Sequence, residues 1–435
     1  MLKIMDYSEF SVRHRGLFQN PEIEEQIRRM IKDIREKGDK ALFAYIKAFD
    51  KADMDNVEVS EGEIEEAYKK VEPDFLRAVR KAKQNITKYH EKQRRNSWIS
   101  EEHDGILLGQ KITPIERVGV YVPGGTASYP SSVLMTVIPG RVAGVPEIVM
   151  CTPPAKDGGI NPYTLTAARE AGVDKIYKIG GAQAVIAMAY GTESVPKVYK
   201  IFGPGNIYVT MAKRLVYGAV DIDMLAGPSE VLIIADNKAN PRFIAADLLS
   251  QAEHDPMASS ILITPSVELA HKVQTEIGSQ IEGLPRKEII RESLSKMGAV
   301  LIVPDIYRAL ELANEIAPEH LELQVEDPFR YLGFIKNAGA IFLGEHSPEP
   351  LGDYLAGPNH VLPTGGTARF YSVLSVDDYV KKSSIIYYSR QGLEEIGEDI
   401  IKLAHVEGLK AHANSIEVRI REGANSVEVR RGEER

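Results

Sequence analysis

The chain has 435 residues, with 53 lysines and arginines against 62 aspartates and glutamates, which gives a formal net charge of −9. At about 100–200 residues per domain, this length predicts two to four domains, and 43% hydrophobic with 26% charged residues excludes wholesale disorder. The negative balance argues against a general nucleic-acid-binding protein, because no basic stripe is available to replace the counterions of a phosphate backbone.

The first hundred residues predict charged, amphipathic helices. In Pro21–Lys37, apolar residues recur at helical spacing and Gly38 follows the last turn, while Glu61–Arg95 predicts one or two more helices. The N-terminus, Met1–Tyr7, turns polar too early for a signal-peptide core, and no apolar run approaches the roughly 20 residues of a membrane span. We therefore expect a soluble, cytoplasmic protein without a membrane partner.

From about Arg117 onward, short β-branched runs alternate with helical segments. This alternation predicts parallel sheets built from βαβ units, and the number of runs indicates two α/β lobes. One run, Glu147–Thr152, contains the single cysteine, Cys151, which we interpret as a buried strand residue. A lone cysteine excludes an intrachain disulfide and a thiolate-held zinc cluster. The runs lie near Val118, Ile148, Ile176, Val198, Val231, Ile261, Val300 and Ile341.

The C-terminal segment is predicted to be helical beyond Ala368, through Gly392–His412, and then strand-like. Residues 413–419, Ala-Asn-Ser-Ile-Glu-Val-Arg, return almost unchanged at 424–430. We interpret this near-repeat as a local duplication that forms an extra strand or a frayed end, and we assign it no function.

Two short segments place imidazole beside amide or carboxylate groups. Gln251 and His254 are three residues apart at a predicted helix end and share a face, although a surface or capping pair has the same spacing. Glu319 and His320 offer a carboxylate to activate water and an imidazole that titrates near neutrality. An exposed strand start would explain the second pair equally well.

Two further segments extend this set. Asp353 and His360 lie in a stretch rich in glycine and proline, and Glu407 and His412 flank Gly408, so helical spacing cannot decide whether the latter pair face the same way. Nitrogen and oxygen ligands of this kind suit zinc, with manganese, cobalt and iron less favoured. The residues alone leave open whether a metal is bound by the set Gln251, His254, Asp353 and His412.

Glycine turns follow three predicted strands, at Val122–Gly125, Gly180–Gln183 and Gly203–Asn206. Such turns let a backbone approach a ligand closely. None completes a dinucleotide-binding fingerprint, since the third glycine position of the last turn is Tyr208. Plain tight turns would look the same, so spacing alone does not identify a cofactor.

Seven motifs in order resemble the histidinol dehydrogenase family, over about residues 20 to 418. The tail after about Arg419 departs from the family pattern. The motifs are Val118-Gly-Val-Tyr-Val-Pro-Gly-Gly125, Gly180-Gly-Ala-Gln-Ala184, Gly203-Pro-Gly-Asn206, Ala226-Gly-Pro-Ser-Glu230, Gln251-Ala-Glu-His-Asp-Pro256, Ala317-Pro-Glu-His-Leu-Glu322 and Gly352-Asp-Tyr with Gly357-Pro-Asn-His-Val-Leu-Pro-Thr364.

The resemblance implies a zinc-dependent, NAD-linked four-electron oxidation of L-histidinol to L-histidine through L-histidinal, the last step of histidine biosynthesis. It implies one Zn²⁺ per subunit, with Mn²⁺ or Co²⁺ as substitutes. The implied metal ligands are Gln251, His254 and Asp353, with His412 of the partner subunit of a homodimer.

The resemblance also assigns roles to further residues. Glu319 corresponds to the residue that activates water for the second oxidation, and His320 to the base that takes the hydroxyl proton. The implied cofactor contacts are Tyr121, Gln183 and Asn206. The implied substrate contacts are Ser229, Gln251, His254, His320, Asp353, Glu407 and His412. His360 is a second-tier candidate for such a contact.

The implied fold is α/β, with two incomplete Rossmann-like lobes, parallel sheets and small helical terminal domains exchanged across an intertwined dimer. On this basis we divide the chain into an N-terminal helical arm, a discontinuous first lobe, a second lobe and a C-terminal helical tail domain. Their predicted ranges are 1–20, 21–120 with 230–368, 121–229 and 369–435, respectively.

Three alternatives remain. A related NAD-dependent dehydrogenase could act on another small amino or hydroxy compound, and Glu407 and His412 discriminate against it because both would address the histidinol head group. A zinc amidohydrolase could use the same ligands but would leave the glycine turns unexplained. A non-catalytic dimeric binding protein would leave Glu319 and His320 without a purpose.

Overall fold

The computed structural model describes residues 2–10, 20–103, 105–124 and 128–433. The chain divides into two compact units, of which the first comprises Met1–Arg94 and Pro114–Tyr379 and the second Arg95–Thr113 and Val380–Arg435. Gly125 of the first glycine turn and residues 11–19 of the predicted N-terminal arm lie outside the described residues. None of the described helices is both long and apolar enough to cross a membrane.

Strands and helices alternate through the middle of the chain, as predicted. The described strands are β1 (Lys3–Asp6), β2 (Trp98–His103), β3 (Ile106–Pro114), β4 (Arg117–Tyr121), β5 (Glu147–Thr152), β6 (Lys175–Lys178), β7 (Lys200–Phe202), β8 (Asp221–Ile222), β9 (Glu230–Ala235), β10 (Ser259–Thr264), β11 (Ala299–Ile302), β12 (His320–Gln324), β13 (Ala340–Leu343) and β14 (Val380–Tyr388). The described α-helices are α1 (Pro21–Lys37), α2 (Asp39–Tyr45), α3 (Glu61–Lys70), α4 (Pro73–Glu91), α5 (Pro130–Ala143), α6 (Pro162–Ala171), α7 (Gly181–Tyr190), α8 (Ile207–Val216), α9 (Pro241–Ala252), α10 (Val267–Gln280), α11 (Lys287–Lys296), α12 (Ile306–Ile316), α13 (Glu349–Tyr354), α14 (Arg390–Val406) and α15 (Lys410–Glu433).

The first unit contains two parallel sheets. Among the described strands, five pair in the order β6-β5-β4-β7-β8 and six in the order β1-β11-β10-β9-β12-β13. The first strand of each lobe is central, namely β4 in the five-stranded sheet and β9 in the six-stranded sheet. The next two strands along the chain lie on one side of it and the following two on the other. In the six-stranded sheet, β1 is added at the outer edge of β11. This 3-2-1-4-5 order is that of a dinucleotide-binding sheet without its sixth strand. The prediction of two incomplete Rossmann-like lobes is confirmed.

Helices α1 to α4 pack against the five-stranded sheet. Ile27 of α1 and Tyr177 of β6 are fully buried in one core, and α3 and α4 share a second core with the opposite face of the sheet. These helices were predicted, within residues 21–120, to belong with residues 230–368, whereas their buried residues share cores with the five-stranded sheet. Amphipathic spacing shows that a helix covers an apolar surface, but it does not show which of two apolar sheets it covers.

The N-terminal arm, predicted to be helical over residues 1–20, begins with a strand. Lys3–Asp6 pairs in parallel with β11, in the register Lys3↔Ala299. Without β1, β11 would be an edge strand with unpaired backbone groups. Long-range pairing therefore decides the conformation of this short segment, which local sequence preference did not reveal.

The second unit contains a three-stranded sheet of described strands, in the order β14-β3-β2, together with α14 and α15. The predicted helical tail domain, 369–435, therefore contains a strand, and its first residues up to Tyr379 belong to the first unit. The near-repeat, predicted as a strand or a frayed end, lies within α15. Ile416 and Ile420 are four residues apart and both contact Gly397 of α14, so helix packing overrides the strand-like alternation.

Candidate active site

A cluster of polar side chains lies at the amino-terminal edge of the six-stranded sheet. Because β9 and β10 are parallel, α9 runs back to this edge and brings Gln251 in its last turn, with His254 just after it. β12 starts at the same edge with His320, preceded by Glu319. Ligands of open α/β sheets usually bind at the carboxyl ends of the strands, so this cluster lies at the opposite edge.

Three side chains of the cluster are close enough together to hold a metal ion. One ligand atom each from His254, Glu349 and Asp353 lies within 4.8 Å of the others. Gln251 is fully buried, and when its amide nitrogen faces Glu349 it donates to both carboxylate oxygens at 2.9 Å, while its oxygen accepts the N–H of Glu230 at 3.0 Å. Imidazole and carboxylate groups suit borderline and hard divalent cations, so the cluster has the composition of a metal site.

A second layer of buried acids supports this cluster. The backbone N–H of Glu349 donates to Oε1 of Glu322 at 3.0 Å, and Nε2 of Gln324 donates to Glu322 at 2.9 Å and to Asp247 at 2.7 Å. Burial, with the charge of Asp247 beside it, raises the pKa of Glu322 to about 8. Burial, followed by the charge of Asp353, raises the pKa of Glu349 well above its usual value. A cation in the cluster would offset this concentration of carboxylates.

Glu319 and His320 are both buried, and both bind the backbone of Glu230. Oε2 of Glu319 accepts the N–H of Glu230 at 2.8 Å, and Nδ1 of His320 lies 2.9 Å from the carbonyl oxygen of Glu230. Because a carbonyl only accepts, Nδ1 carries the proton and Nε2 of the neutral imidazole is left with its lone pair. Burial raises the pKa of Glu319 well above its usual value and lowers the pKa of His320.

Ser229 and His360 complete the cluster in the first unit. Ser229 directly precedes β9 and is partly exposed, and its carbonyl oxygen accepts the N–H of Ser259 at 2.9 Å. Nδ1 of His360 lies 3.1 Å from the carbonyl oxygen of Asp353 and 3.8 Å from its carboxylate. The sequence-predicted residues of this unit that the structure brings together are Ser229, Gln251, His254, Glu319, His320, Asp353 and His360.

Glu407 and His412 belong to the second compact unit. Glu407 directly follows α14 as its C-cap, His412 lies in the first turn of α15, and both are exposed. Their assignment to substrate and metal stays a prediction.

Sequence reasoning missed Glu349 and Glu322. A glutamate between Leu321 and Leu323 in a fully buried strand is a signal that could have identified Glu322. Glu349 has no comparable signal, because it follows Pro348 at the start of a short helix and only tertiary packing buries it.

The predicted cofactor residues lie at the carboxyl edge of the five-stranded sheet. Tyr121 ends β4, and its hydroxyl accepts the N–H of Gly181 at 3.1 Å. Asn206 follows β7 and caps α8 by accepting the N–H groups of Tyr208 and Val209 at 3.1 and 3.2 Å. Because the strand order reverses between β4 and β7, this edge has the crevice where α/β sheets bind dinucleotides.

The third of these residues, Gln183, is buried in the first turn of α7. Its Nε2 donates to Oδ2 of Asp50 at 3.1 Å, and the same oxygen accepts the N–H of Gly180 at 3.2 Å. Burial raises the pKa of Asp50. Sequence reasoning missed Asp50, since it lies about 130 residues from its partners and in no glycine turn.

Comparisons with known proteins agree with this architecture. A family model described as histidinol dehydrogenase matches residues 13–420. A histidinol dehydrogenase of Clostridium acetobutylicum is 57% identical over 411 residues, which are 94% of this chain and 95% of the relative. A histidinol dehydrogenase of Heliobacterium mobile is 60% identical over 397 residues, which are 91% of this chain and 93% of the relative. A crystal structure of histidinol dehydrogenase from Elizabethkingia anophelis superposes with a TM-score of 0.92 at 40% identity and covers 97% of this chain and 98% of that chain.

Proposed function

The chain belongs to the histidinol dehydrogenase family, and on that premise we propose that it oxidises L-histidinol to L-histidine in two steps through L-histidinal, with two NAD⁺ consumed. The observation that supports this most directly is that Glu319 binds the backbone N–H of Glu230 while His320 binds the carbonyl oxygen of the same residue. Two successive oxidations need two different bases, and this arrangement holds a carboxylate and an imidazole side by side.

In the first oxidation, His320 is the base. Nδ1 is fixed by the carbonyl of Glu230, so the free Nε2 takes the hydroxyl proton as the carbinol carbon loses hydride to the co-substrate NAD⁺. The lowered pKa of His320 keeps the imidazole neutral, and therefore able to accept a proton, near neutral pH. Its burial also excludes bulk water from the newly formed aldehyde.

In the second oxidation, Glu319 is the base. The aldehyde must add water before a second hydride can leave, and the Glu319 carboxylate takes the proton of that water. The raised pKa makes the carboxylate a stronger base than a solvent-exposed glutamate. The N–H of Glu230 orients one carboxylate oxygen and leaves the other to face the water.

The polar cluster would hold a divalent cation, and we propose Zn²⁺, with Mn²⁺ or Co²⁺ as substitutes. The proposed ligands are Gln251, His254 and Asp353, with His412 of the partner subunit. His254 and Asp353 support this fit, because one ligand atom of each lies within 4.8 Å of the other and of a ligand atom of Glu349. When bound, the cation would act as a Lewis acid that accepts lone pairs from the imidazole and amino nitrogens of the substrate.

We further propose that Ser229 and Glu407 contact the substrate and that Tyr121, Gln183 and Asn206 contact NAD⁺. The position of Tyr121 and Asn206 after β4 and β7, where the strand order of the five-stranded sheet reverses, supports this assignment. A homodimer with shared active sites and a cytoplasmic location are also proposals, which follow from the family premise.

The test is an assay of the metal-loaded protein with NAD⁺ and L-histidinol, in which NADH is followed by absorbance. We expect two NADH per histidinol, and no NADH after the metal is removed by a chelator. One NADH per histidinol would contradict the second oxidation. No NADH with histidinol, together with activity on another amino alcohol, would favour the related dehydrogenase instead.

A further inference from the structure

A buried ion pair lies beneath the loop that carries Asn206. Lys213 is on α8 and Asp223 directly follows β8, and their side chains are only 3% and 1% exposed. Nζ of Lys213 contacts Oδ1 of Asp223. No motif of the sequence pointed to either residue, and neither takes part in the chemistry proposed above.

The pair binds both polar groups of one glycine. The N–H of Gly203 donates to Oδ2 of Asp223 at 2.8 Å, and Nζ of Lys213 donates to the carbonyl oxygen of Gly203 at 3.0 Å. Oδ1 of Asp223 also accepts the N–H of Met224 at 2.7 Å. The carboxylate of Asp223 therefore fixes the N–H of Gly203, and the ammonium group of Lys213 fixes its carbonyl oxygen.

Gly203 itself lies tightly against the end of β4. Its φ is 111°, and a Cβ atom at this position would collide with the carbonyl oxygen of Tyr121. The loop from Gly203 to Asn206 is thereby held over Tyr121, in the crevice where the strand order reverses. The ion pair sets the position of this loop relative to β4.

Stability alone does not account for this pair. Taking two charges out of water is costly, and replacing a buried ion pair by apolar residues of similar volume is often neutral or stabilising. What apolar residues could not supply is the donor and the acceptor that bind Gly203. The ion pair is therefore better explained by its hydrogen bonds to the Gly203–Asn206 loop than by a contribution to the stability of the core.

We propose that Lys213 and Asp223 are positioning residues that hold the Gly203–Asn206 loop in its NAD⁺-binding geometry. The proposal rests on the proposed function, in which Tyr121 and Asn206 contact NAD⁺. In this proposal both charged groups act through Gly203, whose N–H and carbonyl oxygen they bind.

The test compares the double variant Lys213→Met/Asp223→Leu with the matched control Lys200→Met/Asp221→Leu. Lys200 and Asp221 form an ion pair at 3.0 Å between β7 and β8, next to the same loop. We expect the first variant to raise the Kd and KM for NAD⁺ about tenfold or more, with a much smaller change in kcat and with native zinc content and histidinol affinity. We expect the control to bind NAD⁺ as the native protein does.

A third variant, Lys213→Gln/Asp223→Asn, keeps a donor and an acceptor for Gly203 without the charges. We expect it to fold as the native protein, by thermal unfolding, and to restore NAD⁺ affinity to within about threefold. Native affinity in the apolar variant, equal losses in it and the control, or no rescue by the amide variant would each overturn the proposal. If the native protein itself binds no NAD⁺, both the proposed function and the positioning role are contradicted. The other outcomes contradict only the positioning role of Lys213 and Asp223.

Discussion

Replacing Glu319 by glutamine should separate the two oxidations. The carboxamide has nearly the same shape, and its oxygen can still accept the N–H of Glu230 that Oε2 accepts at 2.8 Å. The other end becomes an NH₂ group, which cannot take a proton from water. The substitution therefore removes the base and leaves the local packing in place.

The size of the effect follows from this geometry. Loss of a general base costs about 10²–10⁴-fold in rate, or about 3–5 kcal/mol of transition-state stabilisation, and we expect this loss in the oxidation of L-histidinal. The oxidation of L-histidinol uses His320, whose bond to the carbonyl of Glu230 the substitution does not touch. That step should change by no more than about threefold. The free energy of unfolding should change little, because burial already disfavours the Glu319 charge.

The assay is a single-turnover measurement of NADH with each substrate in turn. The variant should release one NADH rapidly from L-histidinol and should oxidise added L-histidinal slowly. Glu319→Asp is the companion variant, because it keeps a carboxylate but shortens the reach to Glu230, and we expect an intermediate aldehyde rate. Equal losses in the two steps, or an unimpaired aldehyde step, would refute the assignment of Glu319.

Four further predictions follow. His320→Asn should slow histidinol oxidation more than histidinal oxidation in the same assay, by about 10²-fold or more. Glu349→Gln should raise the zinc dissociation constant, measured by competition with a chelator, while an unchanged value would remove Glu349 from the metal site. Co-expressed His412→Asn and Asp353→Asn subunits should regain about a quarter of native activity if sites are shared, and none if each subunit has its own. Because burial lowers the pKa of His90 below its ordinary value of 6.5, its contribution to stability is present above that pH and is lost as the pH falls. The unfolding free energies of the native protein and His90→Gln should therefore converge in urea titrations between about pH 8 and pH 5.5, and a constant difference would contradict this reasoning.

Several features were predictable from the sequence because they depend on local patterns. The alternation of β-branched runs with helical segments predicts parallel sheets wherever it occurs, and both sheets are present. The adjacency of Glu319 and His320 and the three-residue spacing of Gln251 and His254 keep the members of each pair close along the chain, which is why the sequence could identify them as candidates. Cys151 lies buried in its strand for the same local reason.

The tertiary structure decided which surfaces and side chains meet. Helices α1 to α4 could cover either of two apolar sheets, and their packing against the five-stranded sheet is visible only in the tertiary structure. Lys3–Asp6 pairs with β11, which would otherwise be an edge strand, and Ile416 of the first copy of the near-repeat packs beside Gly397 of α14. Glu349 approaches His254 and Asp353 through the fold rather than through a motif. A sequence pattern records the preference of a segment for one buried face, whereas the partner of that face depends on residues far away in the chain.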